Sequence, residues 1–152
     1  RSRALRQVQD VAVRPVSLRV ARGVFALTVV IVAVGTLTPG GPPGPAMPSG
    51  MDKVAHALGW AALGFWAACS RSASPGAADA PRAGGGAAAA LRWGAVAWVA
   101  LVGYGGAIEW LQTSVPGRSA EGLDLLADAI GAAAGLALGS RWLSRSRARR
   151  DG

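Results

Sequence analysis

Basic blocks alternate with apolar stretches along this chain, and few folds tolerate that alternation. Arg is concentrated in 1–22, in 71–92 and from 141 onwards, while four apolar stretches lie at about 23–38, 54–70, 93–113 and 123–140. The three basic segments carry 14 Arg against Asp10, Asp79 and Asp151, a balance of +11. The two other connections, with their flanking helix ends, carry Lys53 and Arg118 against Asp52, Glu109, Glu121, Asp124 and Asp128, a balance of −3. Loops flanking transmembrane helices keep their excess Lys and Arg on the cytoplasmic side. The pattern predicts an all-α fold, a four-helix transmembrane bundle with both termini cytoplasmic and a polar cluster on the outer face.

Three further features favour a membrane over a soluble helical bundle. The apolar stretches approach the roughly 17–25 residues that cross a bilayer. They are rich in Gly and Ala, which let helix backbones approach closely in lipid. Trp93, Trp110 and Trp142 fall near the predicted helix ends, at headgroup level. A formal charge of +8 raises nucleic-acid binding, but the Arg residues are split among three segments separated by apolar spans. Topology and attraction to anionic lipid explain them better, so the bilayer is the expected partner and nucleic acid is not. Cys69 is the single cysteine and lies inside an apolar stretch; it forms no intramolecular disulfide and reads as a small packing residue.

Residues 1–20 read as a basic cytoplasmic tail, 21–143 as the membrane domain and 144–152 as a second basic tail. The first helix is expected from about Gly23 to Leu37, retained rather than cleaved as a signal peptide. It ends at the run PGGPPGPAMPSG, an outer loop that forms neither regular helix nor central strand. The second starts near Met51 or Asp52. Residues 71–90 are low in complexity and predict a disordered cytoplasmic linker. The third helix runs from about Ala88 to Thr113, closed by Pro116-Gly117, and the fourth from about Glu121 to near Arg141. The localisation that follows is the cell membrane, in a multi-pass arrangement.

The titratable residues of this frame gather at one level. Asp52 and His56 are four apart and share a helix face, with Lys53 beside it; Glu109 and Gln112 share a face of the third helix. Asp124 and Asp128 share a face of the fourth, and their stripe continues as Gly131, Gly135 and Gly139, a smooth groove for a neighbouring helix. Arg118 lies in the turn between the last two helices. Charges inside a bilayer cost roughly 2.5–3.5 kcal/mol each on insertion scales, so those tolerated there face one another or a water-filled cavity. Asp52, Lys53, His56, Glu109, Gln112, Arg118, Asp124 and Asp128 therefore form the candidate binding site, against the plainer reading of a salt-bridged network that locks helix ends together. His56, Glu109, Asp124 and Asp128 include zinc-compatible donors, but there is no HExxH pair or Cys cluster, and neither a metal nor a cofactor is expected.

These residues also carry a resemblance. DKVAHALGWAALG resembles the first signature of VanZ-like integral membrane proteins, and EWLQTSVPGRSAEGLDLLADAIGAAAG resembles the second, in order, spacing and helix context over about residues 50–140. The family's polar positions fall on Asp52, Lys53, His56, Glu109, Gln112, Pro116, Gly117, Arg118 and Asp124. Asp128 is a departure, because the family pattern usually has Asn there. The family is named for a protein associated with resistance to the glycopeptide teicoplanin. The resemblance implies an envelope-facing membrane protein and supplies no reaction.

Three functions fit such a chain. The first is non-enzymatic: an outer polar site that binds a lipid-linked or cell-wall ligand and affects glycopeptide susceptibility. Arg118 would there offer its planar fork to a phosphate or carboxylate. The second is a membrane enzyme acting on a lipid-linked substrate, with His56 as general base, Asp52 orienting it and Glu109 or Asp128 as acid. No nucleophile motif accompanies them; Thr113, Ser114 and Ser119 are merely near. The third is proton or cation transport, disfavoured because the inner halves of the helices contain almost no ionisable side chains. A homo-oligomer is compatible with each.

Overall fold

The computed structural model describes residues 16–39, 50–71, 85–118 and 120–151. Most of the amino-terminal tail, the bulk of the outer loop after Pro39 and the linker residues 72–84 lie outside the described residues. Among the described residues there are four α-helices and no strand: α1 (Leu18–Leu37), α2 (Met51–Ser70), α3 (Gly85–Gln112) and α4 (Gly122–Asp151). Three of them, over Leu18–Leu37, Gly86–Gln112 and Gly122–Ser146, are long and apolar enough to cross a membrane. The 20 residues of α2 rise about 30 Å, which matches the hydrocarbon thickness, but its first turns carry Asp52, Lys53 and His56.

Helix starts and stops follow local chemistry, and three boundaries differ from the expected ones. α1 begins five residues early because Ser17 caps it, its Oγ accepting from the Val20 N–H at 3.3 Å. α3 begins at Gly85, so residues 85–90 of the expected disordered linker are helical. The Ala87–Ala90 run explains this, since Ala has the highest helix propensity. α4 continues through the expected basic tail to Asp151. No Pro or Gly interrupts residues 140–151, and Arg is a good helix former. The α3–α4 turn closes at Gly117, whose φ of 77° lies in the region glycine adopts freely.

The helices run up-down-up-down. One end of the bundle collects the ends of α1 and α3 and the starts of α2 and α4; the other collects Arg71 against Trp93 and Phe65 near Trp142. α2 and α4 are the tightest pair. A Cβ at Gly131 or Gly135 would collide with the carbonyl oxygens of Ala57 and Ala61, and one at Gly64 with that of Ala132. Small residues thus bring two backbones together, as the glycine stripe predicts. Indole and phenol groups tie the remaining helices. Trp60 Nε1 donates to Leu101 O at 3.1 Å, Trp98 Nε1 to Ala129 O at 2.9 Å, and the Tyr104 hydroxyl to Val29 O at 2.9 Å.

The bundle is inverted relative to a water-soluble protein. Leu27, Ile31, Leu91, Val96 and Ile130 are exposed, while Glu109, Gln112, Asp124 and Asp128 are buried. Soluble domains bury their large aliphatic residues and leave carboxylates outside. An apolar exterior with carboxylates turned inwards is the arrangement lipid selects.

Candidate functional site

The polar residues converge at the end of the bundle where α2 and α4 start and α3 finishes. Two layers can be separated. In the outer layer Lys53 is the hub. Its Nζ lies 2.8 Å from Asp52 Oδ2, 2.8 Å from Glu121 Oε2 and 3.2 Å from Asp124 Oδ1. One turn deeper, His56 Nδ1 donates to Asp128 Oδ1 at 2.9 Å, while its Nε2 stands 3.9 Å from Asp124 Oδ2. The His56 ring stacks on Trp60, centroids 5.7 Å apart, and Trp60 in turn stacks on Tyr104 at 5.9 Å. Stacking against Trp60 orients the imidazole plane, so its two nitrogens point at defined partners.

Glu109 enters from α3. Its Oε2 accepts from the Glu121 N–H at 2.8 Å, satisfying one of the amides left open at the start of α4. A carboxylate at a helix N-terminus is also favoured by the helix dipole. Asp128 fits because residue 105 has no side chain: a Cβ on Gly105 would sit 2.8 Å from Asp128 Oδ2 and 3.3 Å from both Leu125 and Trp60. Gly105 therefore makes room for a carboxylate that is itself fully buried.

Several buried acceptors in this region have no hydrogen-bond partner among the described residues: Glu109 Oε1, Asp128 Oδ2 and Gln112 Oε1. Asp124 Oδ1 has the Lys53 ammonium nearby but not in hydrogen-bonding alignment. Buried polar atoms in native proteins nearly always have partners, so an orphaned carboxylate oxygen marks a place for a donor or a cation. The charge count agrees. Among the described residues, Asp52, Glu109, Glu121, Asp124 and Asp128 face Lys53 and His56 alone. His56, Glu109 and Asp128 each bring a ligand atom within 4.8 Å of the others, and Asp52, Glu121 and Asp124 do the same.

Of the eight residues expected to form the site, Asp52, Lys53, His56, Asp124 and Asp128 are joined by direct contacts, and Glu109 joins them through Glu121. Two are engaged elsewhere. Arg118 donates through Nε to Thr38 O and through Nη2 to Gly35 O, both at 3.2 Å. Gln112 Nε2 donates to Thr36 O at 3.0 Å. Both side chains cap the open carbonyls at the end of α1, which any helix terminus leaves unpaired. Within the described residues Arg118 makes no ion pair with a carboxylate.

Four contributors were not among the expected site residues. Glu121 binds Lys53; its signal was its place three residues before Asp124 at the start of a helix. Trp60 lies four residues after His56, the spacing that stacks side chains on one helix face. Tyr104 and Gly105 follow only from the way α3 crosses α2 and α4.

No family model, curated protein or solved structure matches this chain.

Proposed function

We propose that this chain is a multi-pass protein of the cell membrane, of the VanZ-like kind, whose carboxylate-rich end binds a cationic group of a lipid-linked or cell-wall ligand. The observation that carries this reading is the pair of orphaned oxygens, Glu109 Oε1 and Asp128 Oδ2, both buried at a site with five carboxylates, one lysine and one histidine. Acceptors left open within the chain are the capacity that a cationic ligand would use, beyond what a helix-locking network needs. The inverted surface and the basic segments support a bilayer orientation with the carboxylate end outside and both termini inside.

The geometry moves the expected ligand chemistry away from anions. Arg118, the natural phosphate or carboxylate anchor, spends its donors on α1. What stays open is acceptor capacity, which suits an ammonium or a metal ion. The test is binding by the purified chain in detergent, with Mn²⁺ alone in one arm and an amine-bearing lipid-linked cell-wall precursor in the other. Glu109→Gln with Asp128→Asn should weaken the preferred ligand at least tenfold, and cells expressing that double variant should lose any change in teicoplanin susceptibility that the parent chain confers. Unchanged binding and susceptibility would sink the reading.

A second reading, acid–base chemistry on a lipid-linked substrate, is favoured by the His56–Asp128 hydrogen bond, because a carboxylate on one ring nitrogen fixes the tautomer and leaves the other nitrogen aimed as a base. Turnover of a labelled lipid-linked precursor that disappears with His56→Ala would establish it.

A further inference from the structure

At the opposite end of the bundle the first turns of α3 stand away from the other helices, and a cavity of about 980 Å³ opens between all four. Its chemistry is graded. Arg22 of α1 and Arg71 of α2 stand at the mouth, and the Arg71 guanidinium lies 5.2 Å from the centre of the Trp93 ring, which holds it at the rim. Ser70 follows, with its buried Oγ unpartnered among the described residues. The floor is apolar, formed by Leu101 and Leu136, and the α3 wall is smooth where Gly94 and Ala97 face inwards.

The groove is half open, so it is filled by whatever medium surrounds that end of the bundle. Water does not suit an aliphatic floor that offers it no partners. The cationic rim, hydroxyl and apolar floor reproduce, in order, the complement of a phosphate ester carrying an acyl chain. Basic pockets between transmembrane helices on the cytoplasmic side bind anionic lipid head groups in this way. Arg19, Arg92, Arg141 and Arg145 belong to the same end of the helices, so the local potential favours an anion.

We propose that this cavity is a binding site for one anionic phospholipid, its phosphate held by Arg22 and Arg71 and one acyl chain lying along Gly94 and Ala97 towards Leu101 and Leu136. The site rests on the membrane reading above but not on the cation-binding end, which lies at the far side of the bundle.

Native mass spectrometry of the full chain in detergent, titrated with phosphatidylglycerol or phosphatidylcholine, tests it. One phosphatidylglycerol should bind at least tenfold more tightly than phosphatidylcholine. Arg22→Gln with Arg71→Gln should erase that preference. Ala97→Leu, which keeps both charges and adds an apolar side chain suited to a helix, should reduce phosphatidylglycerol binding at least fivefold by filling the groove. Glu109→Gln should leave lipid binding unchanged, separating this site from the other. Equal binding of the two lipids, or full phosphatidylglycerol affinity in Ala97→Leu, overturns the proposal. A groove already filled by the chain's own linker or by a second copy would give the first of those results. Recovery of the folded chain in buffer without detergent would remove the membrane reading and the lipid site together.

Discussion

His56 Nδ1 and Asp128 Oδ1, 72 residues apart in sequence, meet at 2.9 Å and join α2 to α4 one turn below the mouth of the polar site. The Asp128 side chain is 1% exposed and that of His56 12%, so the contact is shielded from water. Removing one partner of a buried pair leaves the other unpaired, typically at 3–5 kcal/mol when both are ionised and deeply buried. His56→Ala and Asp128→Leu should each lower stability in detergent by about 3 kcal/mol, and the double variant by clearly less than the sum. Additive losses in a double-mutant cycle would mean that the two side chains do not act as a pair.

Asn at position 128 should behave differently from Leu. Its Oδ1 still accepts from the imidazole N–H and its volume is nearly that of Asp, so the fold should be retained within about 1 kcal/mol. The negative charge is lost, and with it cation binding. A thermal shift close to the parent's combined with weakened Mn²⁺ or amine binding is the expected signature of Asp128→Asn. Unaltered ligand affinity would assign the cation to the outer group of Asp52, Glu121 and Asp124.

The glycines sort into two kinds with opposite expected effects. Gly135 of α4 packs against the Ala61 carbonyl, and a methyl group there collides with backbone that has no room to move. Gly135→Ala should therefore separate α2 from α4 and cost at least 1–3 kcal/mol, the usual range for overpacking. Gly103 and Gly106 of α3 have nothing within 4 Å of a built Cβ. Ala at either should be neutral or stabilising by up to about 1 kcal/mol, through helix propensity alone. Thermal unfolding of the three single variants checks the contrast, and equal effects at positions 103 and 135 would mean that α2 and α4 are not in contact as described.

What sequence reveals and what it hides follows from the range of each interaction. Helix existence was legible because apolar runs and Pro-Gly breaks are local. The convergence of Asp52, Lys53, His56, Asp124 and Asp128 was legible because lipid forbids isolated charge, which turns a depth argument into a contact argument. Helix ends were less so: Ala87–Ala90 reads as low-complexity linker, although the helix propensity of Ala alone makes it helical. Arg118 illustrates the deeper limit. Its charge suggests a ligand anchor, but the carbonyls of Gly35 and Thr38 that hold it belong to a helix 80 residues earlier and have no side-chain signature. The inner cavity was invisible for the same reason, since it exists only because α3 stands off from its neighbours.

Arg118 accordingly yields a prediction opposite to that of a ligand anchor. Its two hydrogen bonds, both 3.2 Å, fasten the exposed α3–α4 turn to the end of α1. Hydrogen bonds at exposed sites contribute modestly, so Arg118→Ala should destabilise by about 1 kcal/mol. Binding of Mn²⁺ or of an amine-bearing ligand should stay within twofold of the parent. Arg118→Lys should not restore stability fully, because the ammonium does not reproduce the fixed, planar placement of the Nε and Nη2 donors. If Arg118→Ala left stability intact but abolished binding, the side chain would have to leave α1 and enter the site in the bound state.

Orientation in the membrane is checked through the one cysteine. Cys69 is buried, so a Cys69→Ala background offers a clean surface for introduced thiols. Thr113 is exposed at the carboxylate end, and Ser144 lies on α4 towards the Arg-rich end. With the basic segments inside, Thr113→Cys should react with a membrane-impermeant maleimide in intact cells, whereas Ser144→Cys should react only after the membrane is opened. The reverse pattern would place the carboxylate site in the cytoplasm and separate it from any extracellular glycopeptide. Labelling of both positions in intact cells would show that the chain does not lie across the bilayer.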